Sequence, residues 1–313
     1  MPKTLRTMML FGAATLLSAL ALPAAAAELK VVASFSIIGD FAKNVGGDRI
    51  ELTTLVGPDG DAHVYEPKPT DAVAMAGADV VLVNGLQFEG FLQRLVEASA
   101  TKAAIVELTK GVETIKMAGG EHHDGEEPAS VEDHHNHGDI DPHAFQSVPN
   151  AEIYVRNVAD AFCAADASGC QTYQANATAY TARLKALDGE VKASIASIPA
   201  DKRTIITSHD AFGYFAHQYG VTFLAPEGIS TEAEASAADV AALIRQVRDD
   251  KASAIFLENI TNPRLIEQIA TETNLKVGGV LFSDALSSEG KAATYIDMMR
   301  TNVATIRGAI LGS

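Results

Sequence analysis

Cysteine is nearly missing from this chain of 313 residues, which has two, Cys163 and Cys170. Their spacing does not match that of thiolate zinc sites, so the expected role is a disulfide staple formed in an oxidising compartment. Basic residues are also short, with 24 Lys and Arg against 40 Asp and Glu and a formal net charge of -16. That balance argues against nucleic acid as a partner and is compatible with cation handling. No helical His-Glu-x-x-His stretch occurs, so the usual metalloprotease arrangement of two ligands and a general base is missing. The apolar run from Met8 to Leu22 is shorter than the ~20 residues a spanning helix needs. Lys3 and Arg6 precede it and the small residues Pro23 to Ala27 follow, the pattern of a cleaved secretory signal over 1–27. With no cysteine at the cleavage region, the expected product is a soluble exported chain without a lipid anchor.

What is present is a twice-repeated α/β rhythm. Strands are predicted at Leu29 to Ser34, Ile50 to Val56, Asp79 to Val83 and Ala104 to Glu107, with helical stretches near 37–45, 70–75 and 89–98. A second set follows at Thr204 to Thr207, Val221 to Ala225, Ser253 to Leu257 and Leu275 to Gly278. Two similar βα lobes with mainly parallel sheets are therefore expected, over 28–168 and 199–313. Between them, Tyr173, Ala177, Tyr180, Leu184, Leu187, Val191, Ile195 and Ile198 recur every three or four residues. This is one apolar stripe on a long helix within 169–198 that stops at Pro199. A helix lying on both lobes is a stiff spacer, and large hinge closure is not expected.

Histidine is unevenly distributed. Five of the nine, His122, His123, His134, His135 and His137, crowd an acidic stretch over 118–141. That stretch has almost no apolar residues to bury, so it is expected to be a mobile loop. A loose capture site for metal and a solvated linker are its two readings, which loading rates after deletion of 119–139 would separate. Three others are isolated in polar turns. His63 lies in Gly-Pro-Asp-Gly-Asp-Ala-His-Val-Tyr-Glu-Pro (57–67), after a strand. His143 lies in Asp-Pro-His-Ala-Phe (141–145), and His209 follows the strand at 204–207, at the expected start of a helix. Asp284, in Phe-Ser-Asp-Ala-Leu, follows the last strand. Loops after parallel strands are where such sheets bind ligands. Asp141, Asp210, Tyr65 and Glu66 stand beside these residues and either orient imidazoles or fix local structure, with helix capping favoured for Asp210. His217 is read as a surface side chain in the helix after His209.

The phrases Asp-Ala-His-Val-Tyr-Glu-Pro-Lys-Pro-Thr-Asp, Ala-Asp-Val-Val-Leu-Val-Asn-Gly, Asp-Pro-His-Ala-Phe, Ser-His-Asp-Ala-Phe-Gly-Tyr-Phe and Ser-Asp-Ala-Leu resemble those of metal-binding solute-binding proteins of ABC transporters, the cluster A-I family. The zinc branch, of the ZnuA and AztC kind, fits best. The resemblance implies two lobes joined by a rigid helix and one metal between them, held by His63, His143, His209 and Asp284. It also implies a periplasmic monomer without enzymatic activity that delivers Zn²⁺ to an inner-membrane ABC permease, and in some relatives a zinc chaperone that loads it. Manganese relatives usually have Glu where this chain has His209, and three imidazole nitrogens favour zinc over manganese. The alternatives are a manganese or iron receptor of the same family and, from another class, a zinc-dependent hydrolase with an open coordination position.

Overall fold

A computed structural model describes residues 28–116, 140–233, 235–249 and 251–312. The predicted leader 1–27 and the five clustered histidines at 122, 123, 134, 135 and 137 lie outside the described residues.

The first sheet is built from β1 (Leu29–Phe35), β2 (Ile50–Val56), β3 (Val80–Val83) and β4 (Ala104–Glu107). It is wholly parallel, in the order β2-β1-β3-β4. Helices α1 (Ser36–Gly46), α2 (Pro69–Gly77) and α3 (Leu92–Ser99) form the crossovers. The second sheet repeats the plan with β5 (Thr204–Ile206), β6 (Thr222–Leu224), β7 (Ala254–Glu258) and β8 (Val277–Leu281), ordered β6-β5-β7-β8. Its crossovers are α6 (Gly213–Tyr219), α7 (Ala237–Asp249) and α8 (Arg264–Thr273). In each sheet the strand order reverses beside the first strand, so the crevice past its carboxyl end is the expected ligand position.

The near-continuous apolar sequence Val80–Val83 is what a strand covered on both faces requires, and all four residues are buried. In the second sheet, alternate residues serve two cores. Ile205, Ala254, Phe256 and Leu281 join a core running through both lobes, while Ile206, Leu224 and Ile255 pack under α7 and α8. Strand side chains alternate faces, so neighbours in sequence enter different cores.

One long helix links the lobes. The predicted apolar stripe belongs to α5 (Cys170–Ala196), whose Tyr173, Ala177, Tyr180, Leu184, Leu187, Val191 and Ile195 are buried. It packs on α1, on α4 (Val148–Ala165) and on α9 (Tyr295–Leu311), so it touches both halves of the fold. Asp40 ties α1 to α5 and α9 by accepting from the Tyr180 hydroxyl at 3.0 Å and from the Tyr295 backbone N–H at 3.1 Å. Cys163 and Cys170 form a disulfide at the corner between α4 and α5. Sequence periodicity did not reveal α4 or α9, and β8 starts two residues later than expected. The helix expected to open at His209 begins four residues on, at Gly213, because a bend at 208–210 turns the chain back across the strand ends.

Candidate metal centre

The loops after both sheets face one another, and each positions its side chains by local hydrogen bonding. In Asp61-Ala-His63 and again in Asp141-Pro-His143, the aspartate Oδ1 accepts the backbone N–H of the histidine two residues later, at 2.9 Å in both turns. Such Asx turns fix the backbone without help from a helix or strand. The Asp141 carboxylate also meets the His143 Nδ1 at 2.8 Å, which aims the other ring nitrogen inward. Asn84, after β3, donates from its side chain to the Pro142 carbonyl at 2.9 Å and ties this turn to the first sheet.

His209 lies just past β5, at the crevice of the second sheet. Glu258, the last residue of β7, accepts the backbone N–H groups of Ser208 and His209 at 2.7 and 3.0 Å. Its other oxygen lies 2.6 Å from His209 Nδ1, off the N–H axis, so this contact is a close ion pair rather than an aligned hydrogen bond. Asp284 follows β8 and brings its carboxylate under all three rings.

The four side chains converge. The ring centroids of His63, His143 and His209 form a nearly equilateral triangle with sides of 5.4, 5.5 and 5.8 Å. His63 Nε2 lies 3.3 Å from His143 Nε2. Asp284 Oδ2 lies 3.2 Å from His63 Nε2 and 3.1 Å from His209 Nε2, and Oδ1 lies 3.6 Å from His143 Nε2. A tetrahedral ion with ligand bonds of ~2.0–2.1 Å has donor–donor edges of about 3.3 Å, so this spacing suits one cation at the centre. Asp284 Oδ1 is buried with no hydrogen-bond partner among the described residues. A buried carboxylate oxygen without a donor is costly, and a cation offsets that cost.

Phe88 seals one side, with its ring 4.8 Å from that of His63 and 5.6 Å from that of His143. His63 keeps 6 % of its surface exposed against 0 % for the other three, so solvent reaches the cluster from its side. There a cavity of about 290 Å³ opens between the lobes, lined by His63, Leu86, Phe88, Pro142, Ile229 and Glu232.

Electrostatics couple the cluster. Burial alone would lower the pKa of His143, but Asp284 and Asp141 more than offset it and hold it up at about 9. His209 is shifted in the same direction, against its burial, by Glu258 and Asp284. Burial would raise the Asp284 pKa, yet His143 and His209 hold it well below the usual carboxylate range. Each of these imidazole–carboxylate contacts thus favours the charged form of both partners.

The neighbouring candidates divide. Asp141 braces an imidazole. The Tyr65 hydroxyl instead donates to Asp71 at 2.8 Å, Glu66 is exposed, and His217 is exposed on α6. Asp210 does not cap α6, which has Phe212 at its N-cap and no side-chain cap. Sequence reading missed Glu258, Phe88 and Asn84. For Glu258 the available signal was a lone carboxylate ending the apolar strand Ala-Ile-Phe-Leu-Glu.

Gly213 approaches Asp141 so closely that a Cβ there would lie 2.3 Å from the carboxylate Oδ2. Gly213→Ala is expected to displace Asp141 and lower metal affinity about tenfold, within the range for lost support of a ligating imidazole. A competition titration checks it, and unchanged affinity would show that Asp141 does not tune the site.

The sequence matches the family described as the periplasmic zinc-uptake complex component A, ZnuA, over residues 31–309. It is 33 % identical over 284 residues to the manganese ABC transporter substrate-binding lipoprotein PsaA of Streptococcus anginosus, covering 88 % of this chain and 87 % of that one. It is likewise 33 % identical over 282 residues to the iron-binding protein YfeA of Yersinia pestis, covering 90 % and 86 %. The fold is similar to that of the periplasmic zinc-binding protein TroA of Treponema pallidum, with a TM-score of 0.80, 28 % identity and coverage of 90 % and 99 %. The two parallel-sheet lobes, the bridging helix and the matched span together place this chain in the ZnuA family, the metal-binding substrate receptors of ABC transporters, which are not enzymes.

Proposed function

We propose that the chain captures Zn²⁺ in the periplasm and releases it to an ABC permease for import. His63, His143, His209 and Asp284 are the ligands in this reading. The observation that carries it is the donor set itself, in which three imidazole nitrogens and one carboxylate lie within 4.8 Å of one another and are all buried. Nitrogen-rich, four-donor sites suit zinc, whereas manganese prefers oxygen. Four protein donors also close the coordination sphere, so the ion is cargo, with no position left for a reacting water.

A manganese or iron receptor is the second reading, favoured by the similarity to the manganese lipoprotein PsaA and the iron-binding protein YfeA. Asp284 turns both oxygens toward the rings, at 3.1 and 3.6 Å from His209 and His143, and a chelating carboxylate would supply the fifth donor such metals accept. Elemental analysis after purification from mixed-metal medium decides between them, together with a competition titration. One zinc per chain, held against excess manganese, is the expected result. Stoichiometric manganese or iron would overturn the zinc assignment.

A further inference from the structure

The loop carrying His63 does more than present that ring. Asp59, four residues earlier, has a left-handed backbone with φ +57°, and its hydrogen bonds among the described residues reach the opposite lobe. Its N–H donates to the Leu286 carbonyl at 2.8 Å. Its Oδ2 accepts from the Ser288 backbone N–H at 3.0 Å and the Ser288 hydroxyl at 2.8 Å. Its Oδ1 accepts from the Asn259 side chain at 3.2 Å. Asn259 directly follows Glu258, which braces His209, and Leu286 lies two residues after Asp284.

The Asp284 turn is thus gripped largely from the lobe to which it does not belong. Ser36, opening α1, accepts the Leu286 N–H at 2.9 Å, and Gln146 donates to the Ser283 carbonyl. Asp61 reinforces the seam by accepting from the Thr231 hydroxyl at 2.6 Å, but it also holds the His63 N–H. Asp59 has no such second duty, so its effect on the seam can be isolated.

Taking the metal site assigned above as given, we propose that Asp59 is a positioning residue for metal retention. It latches the His63 loop to the turn bearing Asp284, and so governs how fast the cation leaves. A four-donor site spanning two bodies empties when one body carries its donors away, and the latch resists that separation. Because Asp59 lies in a loop, in a backbone region that glycine enters freely and asparagine tolerates, its substitution leaves the fold intact.

The test follows zinc release into excess chelator by stopped flow, using the mature chain. Asp59→Gly is expected to accelerate release roughly tenfold or more, since contacts of this kind act chiefly on dissociation. Ser288→Ala, on the other side of the contact, should accelerate it less and should add nothing in the Asp59→Gly background. Asp59→Asn, which keeps an acceptor and the backbone preference, should lie between wild type and Asp59→Gly. The thermal midpoint of the metal-free protein should stay near wild type, which a purely structural role would not predict. Wild-type release from both single variants, or additive effects in the double variant, would overturn the latch while leaving the site standing. A wild-type chain that binds no stoichiometric cation would overturn both.

Discussion

His63→Ala is expected to weaken zinc binding by two to three orders of magnitude. Structural four-ligand zinc sites are worth an apparent ~10–16 kcal/mol, so each donor carries about 2.5–4 kcal/mol, a factor of roughly 10²–10³. His63 is the cleanest of the four to remove. It is the one ring with residual exposure, and its replacement leaves the His143–Asp141 and His209–Glu258 pairs intact. Metal-free stability should therefore change little while affinity collapses. Competition against a chelator of known affinity checks this, and an unchanged constant would remove His63 from the site.

Glu258→Ala should have the largest effect on the fold. The carboxylate is buried, accepts two backbone N–H groups and faces the His209 ring, so its removal leaves two backbone donors and the Nδ1 side of that ring without partners. Removing one member of a buried ion pair costs ~3–5 kcal/mol. Metal affinity should fall as well, by roughly 10–100-fold, because His209 loses its brace. Glu258→Gln, which keeps an acceptor for the backbone, should recover part of the stability. The pH dependence has a definite sign. The folded-state pKa of His209 is raised, so the stability from its charged contacts is full below the unfolded value of ~6.5 and is lost as pH rises through the folded value. The Glu258→Ala deficit in denaturant midpoint should be greatest in mild acid and shrink in alkali. A deficit independent of pH would mean that the backbone contacts alone account for it.

Much of this arrangement was legible in the sequence, because both sheets and the stripe of α5 announce themselves locally, while the four turn residues stood out together through the resemblance of their motifs. Val80–Val83 reads as a covered strand, and the Asp-x-His turns carry their own hydrogen-bond acceptors. What stayed hidden depends on tertiary position. Glu258 reads as the polar end of an apolar strand until β5 places His209 beside it. Asn84 and Phe88 acquire their roles through contacts 58 and 55 residues away in sequence, with Pro142 and His143, which local pattern cannot reveal. The start of α6 was misplaced because the Ser-His-Asp bend offers polar side chains typical of a helix cap, yet Glu258 takes the backbone N–H groups that such a cap would satisfy. Asp59 sits in a Pro-Asp-Gly turn that would explain itself equally well without a partner lobe.

The coupled ionisation of the cluster also bears on transport energetics. The imidazoles of His143 and His209 are both shifted toward their charged forms by the carboxylates around them, and a cation must displace the proton from any ring nitrogen it takes as a ligand. Loading of the proposed site is then an exchange of protons for metal, and acidification on the outer side favours release of the ion.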